Sequence, residues 1–403
     1  MKKQINFYLI LFLFLAAALN AKDDELLSAQ KQDLLQQKQK QYEAEHEKLR
    51  YDWISPLNLS GSYSYDKSGG GVDSDMKKVS ASISQDIFRS GGITYRIDYA
   101  DAKKRADEIG LSREVASLNE NLFSALFNYK KSAYELLQSR KKLENYDIEI
   151  FIKRQLYEAG KADITELNNA LMNKSVEQKN SVLLEYALSK TKLEISKLSD
   201  IDPDTFELYP FELVEEGKYL QNSLDLRYSR AQSQTYEHLY NVTKSAYEPS
   251  ISINGSAGYQ NYDPKERLSG YEGGFYGIGF SINLPISYNA SAAKEEAKAA
   301  YLKQTADMHD KERSLRASYS QSIELIKSYR RYIEVASKNL SLYDELIGVT
   351  QAGVDAGYKT GYDLSTLKNT KAIEEYTIKI NEVNIQLELS KLHFALNTGK
   401  EQK

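Results

Sequence analysis

At 403 residues the chain has room for two or three ordinary domains. Its mean hydropathy of −0.57 leaves no uninterrupted apolar run of about 18 residues after the N-terminus, so it is not a helical membrane protein. A formal charge of −4 without a basic block offers nothing to nucleic acid, and the absence of cysteine excludes disulfides, thiolate metal sites, cysteine catalysis and a lipidated N-terminal cysteine.

Lys2 and Lys3, the apolar stretch Phe7 to Leu15 and the small residues Ala16, Ala17, Ala18 and Ala21 form a secretory signal over 1–21. Asp23 to Asp52 is rich in Gln, Lys, Glu and Leu, lacks Pro and Gly, and is predicted helical. Tyr51, Trp53 and Pro56 mark a change of structure. Leu57, Leu59, Tyr63 and Tyr65 then alternate with Asn58, Ser60, Ser62 and Ser64, a period of two that puts one face of a strand in an apolar medium and the other in a polar one. A loop from Asp66 to Lys77, with Gly69-Gly70-Gly71, leads to a second strand in which Val79, Ala81, Ile83 and Ile87 alternate with Ser80, Ser82, Ser84 and Asp86. The triple glycine is no phosphate loop, because no Gly-Lys-Ser/Thr follows.

Ser90-Gly91-Gly92 ends the hairpin, and a helix is predicted from about 95 to 157. Its seam of Leu111, Val115, Leu118, Leu122, Ala125 and Tyr129 steps by four and three. Ala159-Gly160 interrupts it, and a second helix runs over about 163–198. The acidic stretch 200–222, with Pro203 and Pro210, is predicted irregular. The pattern then repeats, with a helix to Tyr247, a strand from Ile251 to Tyr259, a loop Gln260 to Gly274 and a strand Tyr276 to Ser287. A rod carrying Leu315, Tyr319, Ile323, Ile326, Ile333, Ala336, Leu340, Tyr343 and Ile347 breaks at Ala356-Gly357. A last helix follows, with Ile373, Tyr376, Ile380, Val383, Leu387, Ser390 and Phe394. Corresponding landmarks lie at a near-constant offset (Gly61 to Gly255, Ile87 to Ile286, Gly160 to Gly357), so the chain is a duplication. The predicted organisation is a signal peptide (1–21), repeat 1 (22–199, β-hairpin 57–88, helical hairpin with its tip near 160), an irregular equatorial segment (200–223) and repeat 2 (224–403, β-hairpin 250–287, tip near 357).

Four candidate membrane strands are too few to close, and an open edge in lipid leaves backbone groups unpaired at several kcal/mol each. Two copies would supply eight strands and three copies twelve. Eight strands leave an interior nearly filled by side chains, whereas twelve leave room for a passage. Chain physics does not choose between them; a conduit favours three.

The order of signal peptide, helix, strand hairpin and long helical hairpin, repeated, resembles the outer-membrane efflux protein (TolC) family over essentially the whole mature chain. The two turns carry the likeness most specifically. Tyr157-Glu-Ala-Gly160-Lys-Ala-Asp-Ile-Thr-Glu166-Leu167 and Val354-Asp-Ala-Gly357-Tyr-Lys359-Thr-Gly-Tyr-Asp363-Leu364 both resemble the family's glycine, six-residue step, acid, then Leu/Val. The strand exits Gln85-Asp86-Ile87-Phe88 and Asn283-Leu284-Pro285-Ile286 resemble its strand-to-helix junctions. The resemblance implies a mainly α fold with a pair of transmembrane β-hairpins. It implies a homotrimer forming a shared 12-stranded outer-membrane β-barrel and a periplasmic α-helical barrel. It also implies a periplasmic adaptor (membrane fusion) protein and an inner-membrane transporter as partners, outer-membrane lipid around the barrel, and a cell outer membrane location with a large periplasmic part. The chain departs from the family in lacking a counterpart of Phe206 to Asn222 before its first hairpin, so the girdle is built from one side.

By motif position, the resemblance implies a periplasmic gate of Asp363, Glu166 and Lys359, and adaptor-contacting tips at Gly160, Lys161, Gly357 and Tyr358. Three copies of Asp363 around an axis would make a cation-attracting constriction, and a Glu166–Lys359 link would hold neighbouring hairpins shut. The plain alternatives are that first-turn acids answer the helix dipole and that the glycines end helices. Tyr63, Tyr65, Tyr259, Tyr262, Phe275 and Tyr276 at one end of the hairpins, with Trp53, Phe88 and Tyr288 at the other, are expected to form two interfacial aromatic belts. No catalytic residue, metal site or cofactor is expected, since His46, His238, His309 and His393 are scattered without partners at metal spacing. The expected function is an export duct in a tripartite efflux or type I secretion system. A passive porin or a structural coiled-coil stalk are the alternatives.

Overall fold

A computed structural model describes residues 26–67, 73–264 and 269–396; the expected signal peptide and the triple glycine fall outside these residues. In chain order the elements are α1 (Ala29–Tyr51), β1 (Asn58–Asp66), β2 (Ser74–Phe88), α2 (Gly92–Glu158), α3 (Ile164–Ser196), α4 (Glu216–Asn222), α5 (Leu224–Ser245), β3 (Ser250–Pro264), β4 (Tyr271–Asn283), α6 (Ala290–Asp355) and α7 (Gly361–Phe394). No helix among the described residues is long and apolar enough to cross a membrane. The six prolines all lie outside helices, as a residue without an N–H and with a clashing ring must.

The chain forms two compact units, each drawing on both halves of the sequence. One comprises residues 37–111 and 226–311 and holds the sheet. Its strands run in the order β1-β2-β3-β4, every neighbour antiparallel, so the two hairpins join through β2 and β3 (Val79 opposite Tyr259). The outer edges of β1 and β4 have no partner strand among the described residues.

Both hairpins differ from the expected bounds for physical reasons. β2 begins at Ser74, and β3 and β4 reach Pro264 and Tyr271, so residues expected in loops belong to the ladder. The apolar alternation fades there, but backbone pairing does not depend on side-chain polarity. At the other end β4 stops at Asn283 although Leu284 and Ile286 continue the pattern. Pro285 has no N–H to give the ladder.

The register sorts the sheet into two faces. On one lie Leu59, Val79, Ala81, Ile83, Ile251, Ile253, Tyr259, Tyr276, Ile278, Phe280 and Ile282. The largest are open to the surroundings: Tyr276 is 90% exposed, Ile278 81% and Leu59 79%. From Gly274 to Ile282 this band spans roughly nine residues, the length of a tilted strand crossing a bilayer. On the other face lie Asn58, Ser60, Ser80, Ser82, Ser84, Ser252, Asn254, Ser256 and Ser281.

The second unit, built from residues up to 36, 112–225 and 312 onward, holds most of the four long helices and an aromatic core. Phe123 and Phe127 of α2, Phe211 of the connecting segment, Ile326 of α6, and Val383, Leu389 and Phe394 of α7 are buried together. The Phe123 ring lies 5.4 Å from that of Phe211 and 5.1 Å from that of Phe394. The segment expected to be irregular is ordered by this core. Phe211 N–H donates to Gln386 at 2.7 Å, the Tyr319 hydroxyl donates to the Val214 carbonyl at 2.8 Å, and residues 216–222 form the short α4. The expected seams are partly realised, with Leu122, Ala125, Tyr129, Leu315, Tyr319, Ile326 and Ala336 buried.

Candidate functional site

The expected gate and tip residues all lie in this second unit, at the turns α2–α3 and α6–α7. Both turns close in the same way. Gly160 and Gly357 sit at φ +68° and +76°, in the left-handed region where glycine carries no penalty. Lys161 N–H reaches back to the Leu156 carbonyl at 2.8 Å, and Tyr358 N–H to the Gly353 carbonyl at 2.8 Å. Each of these bonds takes up a carbonyl that the ending helix leaves free. A side chain at either glycine would meet nothing within 4 Å, so the requirement is conformational rather than steric.

The helices after the turns start differently. Asp163 caps α3, its carboxylate accepting from the N–H and the hydroxyl of Thr165, both at 2.8 Å. These bonds hold the Asp163 carboxyl below its ordinary pKa. Thr360 caps α7 in a closed capping box: Asp363 N–H donates to the Thr360 hydroxyl at 3.2 Å, and the Thr360 N–H donates to Asp363 at 2.9 Å. The Thr360 backbone, then its hydroxyl, then the charge of Lys359 hold the Asp363 carboxyl below the usual range.

Glu166, the aligned acid of the first turn, is not drawn into its own cap. It pairs with Lys153 across the hairpin, and that bond raises the lysine's pKa. Within one chain the structure therefore does not bring Glu166 and Lys359 together. The stem of Lys359 lies instead along Gly353, whose added Cβ would meet its Cγ at 3.0 Å. Tyr358 is 89% exposed, and Lys161 stands in the open turn. Tyr362 stacks on Phe151 of α2, ring centroids 4.9 Å apart, so the second tip leans on the first hairpin. The groove between them measures about 1000 Å³ and is lined by Lys142, Glu149, Lys153, Tyr358, Lys359 and Asp363 among others. Lys153 and Thr360 were not singled out by sequence reasoning. The Thr-x-x-Asp spacing could have revealed Thr360, whereas nothing local marks Lys153.

In the sheet unit, Tyr63, Tyr65 and Tyr259 share the apolar face and turn their hydroxyls to the charged row at its rim. Tyr63 donates to Asp75 at 2.9 Å, Tyr65 to Asp73 at 2.9 Å and Tyr259 to Glu272 at 2.6 Å. Tyr276 lies on the same face, level with Leu59, deeper than that rim. Phe88 stands opposite Ile251 past a bulge, Trp53 is half-buried, and Tyr288 is fully exposed beyond β4. Tyr262 and Phe275 belong to the polar face, on the far side from the expected belt.

Residues 24–199 and 217–373 match the family described as outer membrane efflux protein. No curated protein matches the chain in sequence. Among solved structures, the outer membrane protein VceC of Vibrio cholerae superposes with a TM-score of 0.71 at 12% identity, over 91% of this chain and 93% of that one. The CmeC outer membrane channel of Campylobacter jejuni gives 0.72 at 16% identity, over 93% and 84%. The open state of the MtrE outer membrane channel of Neisseria gonorrhoeae gives 0.69 at 14%, over 93% and 86%. At these identities the likeness is one of fold.

Proposed function

We propose, for a chain that belongs to the outer membrane efflux protein family, that three copies form a duct through the outer membrane and periplasm in a tripartite efflux or type I secretion system. The chain is an outer-membrane protein with a large periplasmic part. Its solved fold relatives are channels rather than enzymes.

The observation that carries the reading is the sheet: two chemically opposite faces and two open edges. An apolar face can stand in lipid, but edges cannot, so β1 of one copy must meet β4 of the next. Three copies give twelve strands and a passage lined by the Ser/Asn face. The helices support the same closure. In α3, Met172, Val176, Leu183, Tyr186 and Leu193 form an exposed heptad stripe; in α6, Leu325, Tyr332, Val335, Leu342, Leu346 and Val349 form another. Each is unpartnered in the single chain, and each would be covered by a neighbour.

In this reading each of the two repeats supplies one helical hairpin to the tunnel wall. The tips Gly160, Lys161, Gly357 and Tyr358 meet a periplasmic adaptor, which links the duct to an inner-membrane transporter, and three Asp363 carboxylates surround the narrow end. Glu166 and Lys359 tie neighbouring copies, with Lys153 competing for Glu166. Single exposed pairs of this kind contribute about 0–1 kcal/mol, so several must act together.

Native mass spectrometry of the detergent-extracted complex tests the assembly. A trimer is expected; a monomer or a soluble protein overturns the reading. Bilayer conductance tests the gate. Lys359→Ser and Glu166→Gln are expected to raise it, and unchanged conductance in both removes the link.

A further inference from the structure

The polar face of the sheet is almost without charge. Its rows run Asn58–Ser82–Ser256–Gly277, then Ser60–Ser80–Gly258–Phe275, then Ser62–Lys78–Gln260–Gly273. Hydroxyls and amides bond along it: Ser60 with Ser80 at 3.0 Å, Ser84 to Asn254 at 2.6 Å, and Asn254 to Ser281 at 2.9 Å. At one end Asp86 accepts from Ser252 at 2.6 Å and pairs with Arg89 at 3.2 Å, which offsets its charge. Between that row and Asp66 at the far end, Lys78 is the one charged side chain among the described residues of this face.

Lys78 is also held in place. Its Nζ lies 5.0 Å from the centroid of the Phe275 ring, within the range of a cation–π contact. The ring lies across the sheet over Gly258, where an added Cβ would come within 2.8 Å of Phe275 Cζ. Glycine at 258 leaves clear the space in which the ring sits. The two side chains stand together between a band of small Ser, Asn and Gly residues on one side and Met76, Tyr262 and Tyr271 at the rim on the other.

We propose that Lys78, seated on Phe275, forms a ring of positive charge inside the passage and makes the membrane end of the duct favour anionic solutes. The inference rests on the channel reading, with the polar face turned inward. Three copies repeat the charge around one axis, within a wall whose hydroxyls and amides carry no net charge to cancel it. A ring of lysines in a low-dielectric wall concentrates anions and repels cations.

The test is the reversal potential of purified full-length protein in planar bilayers under a KCl gradient. An Asp363→Asn background removes the acid of the proposed gate. An anion preference is expected, lost in Lys78→Gln, inverted in Lys78→Glu and kept in Lys78→Arg. Phe275→Ala is expected to raise conductance and weaken the preference, because the ammonium loses its seat. Channels whose reversal potential is the same in Lys78→Gln and Lys78→Glu as in the parent overturn the proposal alone. Parent protein that opens no channel overturns the channel reading and this inference with it.

Discussion

The two hairpin tips end alike and begin again differently. Both stop a long helix with a glycine at positive φ and a backbone bond reaching back five residues. Both place an acid six residues after that glycine. In the second tip the cap is threonine and the acid is the shorter Asp363, so the box closes on itself. In the first tip the cap is already an acid, Asp163. A second carboxylate reaching back would meet like charge, and Glu166 turns to Lys153 instead. One aligned position thus does two jobs: Asp363 is part of its own helix start, whereas Glu166 ties two helices. Motif position alone assigned both to a gate, and the capping residue decides which acid is free to reach a neighbour.

The largest effect expected concerns what the tips share. Gly160→Val and Gly357→Val force a β-branched residue into the left-handed region, at about 1–2 kcal/mol, with no steric clash at either site. Both variants are expected to assemble as trimers by native mass spectrometry yet lose efflux in a drug-sensitivity assay. Loss of the trimer would make the glycines structural and nothing more. Loss of efflux in one variant only would break the equivalence of the tips.

A smaller effect separates them. Thr360→Ala removes one half of the box and Asp363→Asn weakens the other, and both are expected to speed hydrogen exchange in the first turn of α7. For Thr360→Ala the change corresponds to about 1 kcal/mol. Glu166→Gln at the aligned position is expected to leave the first turn of α3 unchanged, because Asp163 holds that cap. Equal fraying at both helices would show that Glu166 also caps, and the contrast would fall.

The same contrast shows what could be read from the chain. The duplication, the long helices and the glycine turns were legible because they rest on local rules: heptad spacing, proline exclusion and the need for φ above zero. The strand ends were not. Asp75 and Lys77 break the apolar alternation, yet they stay in the ladder, because backbone pairing outlasts the apolar band. Pairing of β2 with β3, which joins residues such as Val79 and Tyr259, has no local signature at all. Alternation does mark Phe275 and Tyr262 as polar-face residues, out of phase with Tyr276 and Tyr259; grouping the aromatics by their place at one end of the hairpins overlooks that parity. At the tips, Lys153 lies beyond the turn from Glu166, and only the closed hairpin brings the two together. Phe206 and Phe211 came from a stretch rich in prolines and acids; burial against α2 and α7 orders it, not its own propensity.

The smallest effect expected is in pH: the tips share its acid arm and differ in its alkaline one. Asp163 and Asp363 both have carboxyl pKa values lowered by cap bonds. Each contribution is present above the ordinary aspartate value of about 3.9 and is lost as pH falls through the lower folded-state value. Acid therefore loosens both tips. The Lys153 pKa is raised by Glu166, so that contribution is present below about 10.4 and is lost as pH rises through the higher folded-state value. Alkali therefore loosens the first tip through this pair; the second hairpin has a pair of the same chemistry, Lys371 with Asp344 at 2.7 Å and the lysine pKa likewise raised, but it lies further from the turn. Spin labels on Lys161→Cys and Tyr358→Cys, unambiguous in a chain without cysteine, read both tips in one trimer. Both labels are expected to gain mobility in acid, and the label at 161 the more in strong alkali. Equal alkaline loosening at 358 would mean that Glu166 also holds the second tip of a neighbouring copy, the one result that would restore the Glu166–Lys359 link at the expense of the contrast.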